Sequence, residues 1–258
     1  GGFTMDNMAT NSVSSYETLV NQCYFGMERF LYGTDGFMEL TEGDTDLWTY
    51  RANMDNSYTQ YFWFFAGASP NTTYMNGIWN SIYDGIGSCN IAISLADKAP
   101  YKTDAERNAK VAEAKFLRAI YYFNAVEQFG AVTMITEPAA QMDFSPARTE
   151  PIDIYKQVII PDLEYAVEWL PKGDDNTTTQ PTKKAALGML AKACLQTYEY
   201  GTSEYISKAY DAAKKLIDDC ESGGSIYGAY MYPTLADVFN ESNNFKKLLP
   251  LKLTPIIN

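Results

Sequence analysis

The stretch AEAKFLRAIYYFNAVEQFG, residues 112 to 130, leaves the chain little choice of architecture. Phe116, Ala119, Ile120 and Phe123 recur at the three-and-four spacing of one helix face. Leu117, Tyr121, Tyr122 and Ala125 make a second face as apolar as the first. A surface helix needs one apolar stripe, so a helix with two must be covered from two sides. Helices layered on either side of a central one supply that cover. Arg118, in the middle of the segment, must then find its partners inside the stack.

The rest of the chain reads as more helices of that kind. A first helix is expected from Ser14 or Ser15 to about Leu31, with the serine as N-cap after Val13 and Gly33 as the stop. A second runs from about Thr73 to Asp97, with Trp79, Ile82, Tyr83, Ile86, Asn90 and Ile93 on one stripe. The opening segment is the third, entered at Thr103 or Asp104 and ended by Gly130; the short turn through Pro100 makes the two antiparallel. PIDIYKQVIIPDLEYAVEWLP is the fourth, with Pro151 in its first turn, a kink expected at Pro161 and an exit at Pro171. TKKAALGMLAKACLQTYEY and SEYISKAYDAAKKLIDDC form a last hairpin, broken at Gly201, whose seam should be Ala186, Ala193, Ala209 and Ala213. Small residues where paired helices meet, with a Tyr nearby, characterise helical repeat units of about 34 residues. The fold class is therefore mostly all-α, an irregular tetratricopeptide-like stack of helical hairpins over residues 1 to 240, with a loop-rich, aromatic-rich insertion over 33 to 75 and an irregular tail over 241 to 258.

Charge narrows the possible partners. The chain carries 20 Lys plus Arg against 32 Asp plus Glu, a net charge of -12, which repels phosphate backbones and anionic lipid headgroups. Nucleic acid is not an expected partner, and a neutral ligand or a protein with a complementary patch fits better. Histidine is absent, which removes the commonest general base near neutrality and the commonest zinc ligand. Cys23, Cys89, Cys194 and Cys220 form no closely spaced pair, so they are expected as small buried apolar residues, with no metal and no cofactor. No run reaches the ~18 to 20 apolar residues that a membrane-crossing helix requires.

The segment DLWTYRANMDNSYTQYFWFFAGASPNTTYMNGIW is the candidate for ligand contact. Sugars present C–H faces rimmed by hydroxyls, which aromatic faces flanked by amides, carboxylates and a guanidinium can meet. Trp48, Tyr50, Arg51, Asn53, Tyr58, Trp63 and Asn71 supply that combination, while Phe62, Phe64 and Phe65 read as a buried clip. Arg118 reads as structural, with Glu113, Asp84 and Asn90 as candidate partners. Paired carboxylates can cleave glycosidic bonds, but EGDTD and GDD have the composition of solvated loops, and no catalytic residue is assigned.

Four segments, in order, resemble the SusD/RagB family of outer-membrane nutrient-binding lipoproteins. WNSIYDGIGSCNIAI is similar to its Trp–Tyr–Ile–Asn helix through Trp79, Tyr83, Ile86 and Asn90. AEAKFLRAIYYFNAVEQFGAV resembles its Leu-Arg-Ala helix through Ala112, Ala114, Leu117, Arg118, Ala119, Tyr122, Phe123, Phe129 and Gly130. ARTEPIDIYKQVIIPDLEYAVEWLP and TKKAALGMLAKACL resemble the two that follow, the former through Arg148, Tyr155, Asp162, Leu163, Ala166, Leu170 and Pro171. Thr133, Asp153 and Pro181 depart from the pattern.

The resemblance implies structural roles for Trp79, Tyr83, Asn90, Arg118 and Arg148, and a non-catalytic, cell-surface glycan- or nutrient-binding protein of the outer membrane. It further implies a lipid anchor on an N-terminal cysteine outside this chain, and a SusC-like TonB-dependent transporter as partner, with an oligosaccharide or polysaccharide as ligand. Family proteins are commonly about twice this length, so the tail is read as the end of a truncated or frame-shifted gene model. The alternative function is a helical-repeat scaffold that binds protein and has no small-molecule ligand of its own.

Overall fold

The structure, a computed structural model, describes residues 4–27, 41, 73–138, 146–173 and 179–239. The insertion's interior, the tail and the stop at Gly33 lie outside the described residues. Helix α1 (Met5–Asn11) starts at Thr4, whose hydroxyl accepts from the Asn7 N–H. Helix α2 (Val13–Gln22) starts at Ser12, whose hydroxyl accepts from the Ser15 N–H. The expected N-cap at Ser14 or Ser15 is thus corrected by two or three residues. Ser12 is the serine with extended backbone, φ -164°, which lets its hydroxyl fold back onto the first turn.

Helix α3 (Thr73–Leu95) ends in a tight 3-10 turn, Ala96–Lys98, where one continuous helix to Asp97 was expected. Helix α4 (Asp104–Phe129) opens on a reciprocal cap: the Thr103 hydroxyl accepts from the Glu106 N–H, and the Glu106 carboxylate accepts from the Thr103 N–H. Gly130, at φ 70°, ends it as expected. The chain then runs out and returns through one antiparallel bridge between Val132 and Thr149.

The fourth predicted helix is interrupted but not abolished. It begins as α5 (Pro151–Ile154), widens into a π turn (Tyr155–Ile159) and continues as α6 (Ile160–Trp169). Pro161 has no N–H to donate and its ring crowds the preceding turn; widening that turn accommodates it. Helix α7 (Lys183–Gln196) tightens into a 3-10 turn, Thr197–Tyr200, closed by Gly201 at φ 83°. Helix α8 (Ile206–Glu221) starts three residues later than Ser203, because residues 203 to 206 form a turn in which the Ile206 N–H reaches the Ser203 carbonyl at 3.2 Å. A last short helix, α9 (Leu235–Val238), closes the described chain.

Packing follows chain order: α2 on α3, α3 on α4, α4 on α6, α6 on α7, α7 on α8. Helix α4 lies between α3 and α6 and buries 14 of its 26 residues, which accounts for its two apolar faces. The all-α hairpin stack is thereby established for the described residues. In the last seam, Ala186, Ala193 and Ala209 are buried as expected, but Ala212 takes the place predicted for Ala213. Ala209 and Ala212 are three apart and share one stripe of α8, whereas Ala213 lies at its edge. Cys23, Cys89 and Cys194 are buried in the core and Cys220 is half-buried.

Candidate functional site

The seven proposed ligand-contact residues, Trp48, Tyr50, Arg51, Asn53, Tyr58, Trp63 and Asn71, lie outside the described residues. What the structure does describe is the platform that follows them. Trp79, on α3, packs its ring against Tyr83 at 4.8 Å and edge-on against Phe129 at 5.2 Å. The Tyr83 hydroxyl donates to the Thr133 carbonyl at 2.8 Å. Burial raises the Tyr83 phenol well above its ordinary pKa, so it acts as a neutral donor.

Arg118 sits at the centre of this platform, and its partners differ from the expected set. Its Nε donates to Asp162 Oδ2 at 2.7 Å and one Nη to Asp162 Oδ1 at 3.0 Å, a two-pronged pair between α4 and α6. The other Nη donates to Asn90 Oδ1 at 2.8 Å and to the Thr136 carbonyl at 3.2 Å. Asn90 is confirmed as a partner; Glu113 and Asp84 are not. Glu113 accepts instead from the Tyr24 hydroxyl at 2.5 Å and from Lys110 at 3.1 Å, and Asp84 is solvent-exposed. One turn along α4, Lys115 shares Asp162 with Arg118 at 2.7 Å. Burial alone would lower the Arg118 pKa, but the hydrogen bonds and charge of Asp162 outweigh it and raise it.

The same side chains fasten the segment after α4. Asn90 Nδ2 donates to the Ile135 carbonyl at 2.9 Å, and the Tyr122 hydroxyl donates to that carbonyl at 2.8 Å while accepting from the Ile135 N–H at 2.7 Å. Tyr83, Asn90 and Arg118 therefore all hold residues 133 to 137 against α3 and α4, while Trp79 packs on Tyr83 and Phe129. Arg148 does not join them; it is exposed beside the Thr149 bridge. Asp162 is the residue missing from the expected partner set. Its position between Ile159 and Leu163, on the buried side of its helix, was the available signal.

A second polar cluster ties the stack further along. Glu127 Oε1 accepts from the Tyr155 and Tyr200 hydroxyls, each at 2.8 Å, and Oε2 accepts from Gln196 Nε2 at 2.8 Å. A concavity of about 470 Å³ opens between α6, α7 and α8, floored by Val167, Leu187 and Leu190 and rimmed by Glu204, Asp211 and Lys215. Lys208 crosses it to pair with Glu164. Both carboxylates of the interior clusters, Asp162 and Glu127, are occupied by cations or hydroxyl and amide donors, an arrangement suited to fixing helices. Among the described residues no group of His, Cys, Asp and Glu is arranged to hold a metal ion, and no helix is long and apolar enough to cross a membrane.

Comparison with known proteins places this scaffold. The family model SusD-like, described as starch-binding and associating with the outer membrane, matches residues 4–195. A protein named SusD-like protein P2 from Formosa agariphila is 34% identical over 150 residues, covering 56% of this chain and 27% of that protein. A SusD-like protein from Bacteroides ovatus is 27% identical over 190 residues, 70% of this chain and 33% of the relative. The crystal structure of a SusD superfamily protein from Parabacteroides distasonis superposes with a TM-score of 0.71 at 24% identity, over 90% of this chain and 49% of that one. A structure named as a laminarin-binding SusD-like protein gives a TM-score of 0.54 at 29% identity, over 67% of this chain and 36% of its own. The chain thus spans about half or less of the length of these relatives. With the family model matching most of its length and the helical stack shared with solved members, the chain belongs to the SusD-like family of carbohydrate-binding, outer-membrane-associated proteins.

Proposed function

We propose that this chain is the helical-repeat part of a non-catalytic, cell-surface glycan-binding protein that hands its ligand to a SusC-like TonB-dependent transporter. Membership in a family described as starch-binding and outer-membrane-associating is the observation that carries this reading. A lipid on an N-terminal cysteine beyond this chain would hold the protein at the outer membrane. The ligand is met by Trp48, Tyr50, Arg51, Asn53, Tyr58, Trp63 and Asn71, whose aromatic faces and polar groups suit a neutral sugar chain. The laminarin-binding relative supports a neutral β-glucan among the first ligands to test.

Native gel electrophoresis through immobilised laminarin or starch, using the full-length protein, tests the reading. The wild-type protein is expected to be retarded by at least one neutral glycan, and Trp48→Ala and Arg51→Ala to weaken that retardation about 10-fold or more. Unchanged mobility on every glycan, with the protein still co-purifying with its transporter, would favour a protein-binding scaffold instead. The charged concavity between α6 and α8 is the feature that speaks for that second reading.

A further inference from the structure

We propose that the outer side of α8 is a docking face for a helix of a separate partner protein, an amphipathic helix whose apolar stripe is bordered by Lys or Arg. Helix α8 carries more apolar surface than its neighbour covers. Ala209, Ala212 and the half-buried Leu216 face α7, the helix it packs against, with Leu216 Cδ1 3.9 Å from where a Cβ on Gly188 of α7 would stand. Beside them runs a second stripe, Ile206, Tyr210, Ala213, Ile217 and Cys220, at alternating spacings of four and three. Tyr210 is 65% and Ile217 58% exposed, and Ile206, Ala213 and Cys220 are half-buried. The chain that follows α8 turns away from this stripe. The N–H groups of Ile226, Tyr227 and Ala229 fold back onto Asp219, which stands on the opposite side of the helix from Tyr210.

The spacing and the charges around the stripe define what fits it. Alternating spacings of four and three make the seam along which one helix meets another, and Ala213 at its centre lets that helix come close. At 16 residues α8 is about 24 Å long, so the occupant is a helix of similar length. Along the solvent border of the stripe stand Asp211, Lys214, Asp218 and Glu221. Lys214 is paired with Asp218, at 2.7 and 2.9 Å, which leaves Asp211 and Glu221 without an ion pair among the described residues. A basic border on the occupant meets those two carboxylates; a second copy of this chain, with the same acidic border and a net charge of -12, does not. A tyrosine, an alanine and a cysteine among the five stripe residues, with carboxylates alongside, make a face that stays soluble when empty, as a partner that binds reversibly requires. One helix seated on α8 buries less than about 1,200 Å², the range of weak and transient complexes, so micromolar affinity is expected. Helix α8 lies outside the aromatic-rich segment, and docking here is independent of glycan capture.

Fluorescence anisotropy with a labelled synthetic helix tests this, using the 258-residue chain and the full-length protein side by side. The probe carries Leu at alternating spacings of four and three with Lys on both borders of the stripe; a comparison peptide has Glu on both borders. The Lys-bordered peptide is expected to bind both proteins with a micromolar Kd, and the Glu-bordered one about 10-fold more weakly or less well still. Ile217→Glu, at an exposed position that leaves the fold intact, is expected to weaken the Lys-bordered peptide about 10-fold or more although it adds negative charge, and Tyr210→Ser to act in the same direction. Met5→Glu, the same kind of change at an exposed position on α1, is expected to leave binding as in the wild type. No binding to either protein, equal binding of the two peptides, or binding that both Ile217→Glu and Tyr210→Ser leave unchanged overturns the proposal. Binding to the 258-residue chain but not to the full-length protein overturns it too, since the face is then covered by the rest of the same polypeptide. A dimer in sedimentation that Ile217→Glu disperses assigns the face to a second copy and likewise overturns it.

Discussion

Asp162 pairs with Arg118 and Lys115 together from a position that is 2% exposed. Truncating one partner of a buried pair strands the other, which costs about 3–5 kcal/mol, whereas replacing both with apolar residues of similar volume is close to neutral. Asp162→Ala and Arg118→Leu should each lower stability by that amount in urea unfolding, and an Arg118→Met, Asp162→Leu double variant by much less. Arg118→Leu should reduce folding yield while folded material keeps its glycan affinity; full stability with lost affinity would place Arg118 at the ligand. Asp219 offers a pH test. Burial pushes its carboxyl up, but N–H groups of Ala229, Ile226 and Tyr227, at 3.0, 2.7 and 2.9 Å, outweigh burial and hold it below the ordinary range. Since the unfolded chain takes up this proton first, Asp219 stabilises the fold above about pH 4 and loses that effect as acid protonates the folded form. The melting-temperature gap between wild type and Asp219→Asn should therefore shrink from about pH 6 to about pH 3.

At the scale of elements, two of the three glycines of α3, Gly85 and Gly87, look alike in sequence and differ in space. Gly85 faces the Tyr121 ring, so Gly85→Ala needs a shift of a buried aromatic and should cost roughly 1–3 kcal/mol. Gly87 has nothing near its missing Cβ, and Gly87→Ala should stabilise by roughly 0.5–1 kcal/mol through helix propensity. Thermal melts of the two variants should move in opposite directions. Helix existence and order were legible because the 3.6-residue period, Thr103 with Glu106, and the stops at Gly130 and Gly201 are local signals. The π turn before Pro161 was legible only as a kink. The α2 start was misplaced because three serines compete within four positions, and backbone conformation alone decides which hydroxyl caps.

For the whole molecule, charge and topology lead in different directions. A net charge of -12 opposes anionic glycans, so a neutral glucan should bind more tightly than a sulfated or uronate polymer of similar linkage. Raising salt from about 50 mM to about 500 mM should narrow that difference, because the Debye length shortens to a few ångströms; a gap that stays constant would assign the discrimination to shape. The apolar pattern by itself determined that α4 is central, that the described fold is helical, and that a cation is held inside it. Those follow from periodicity and from the cost of leaving apolar surface or charge uncompensated, which any compact fold of this chain must meet. Which carboxylate answers Arg118 and which alanine lines the last seam were decided only in three dimensions. Each depends on how helices distant in sequence are rotated and offset against one another, and that is settled by the packing of the whole stack.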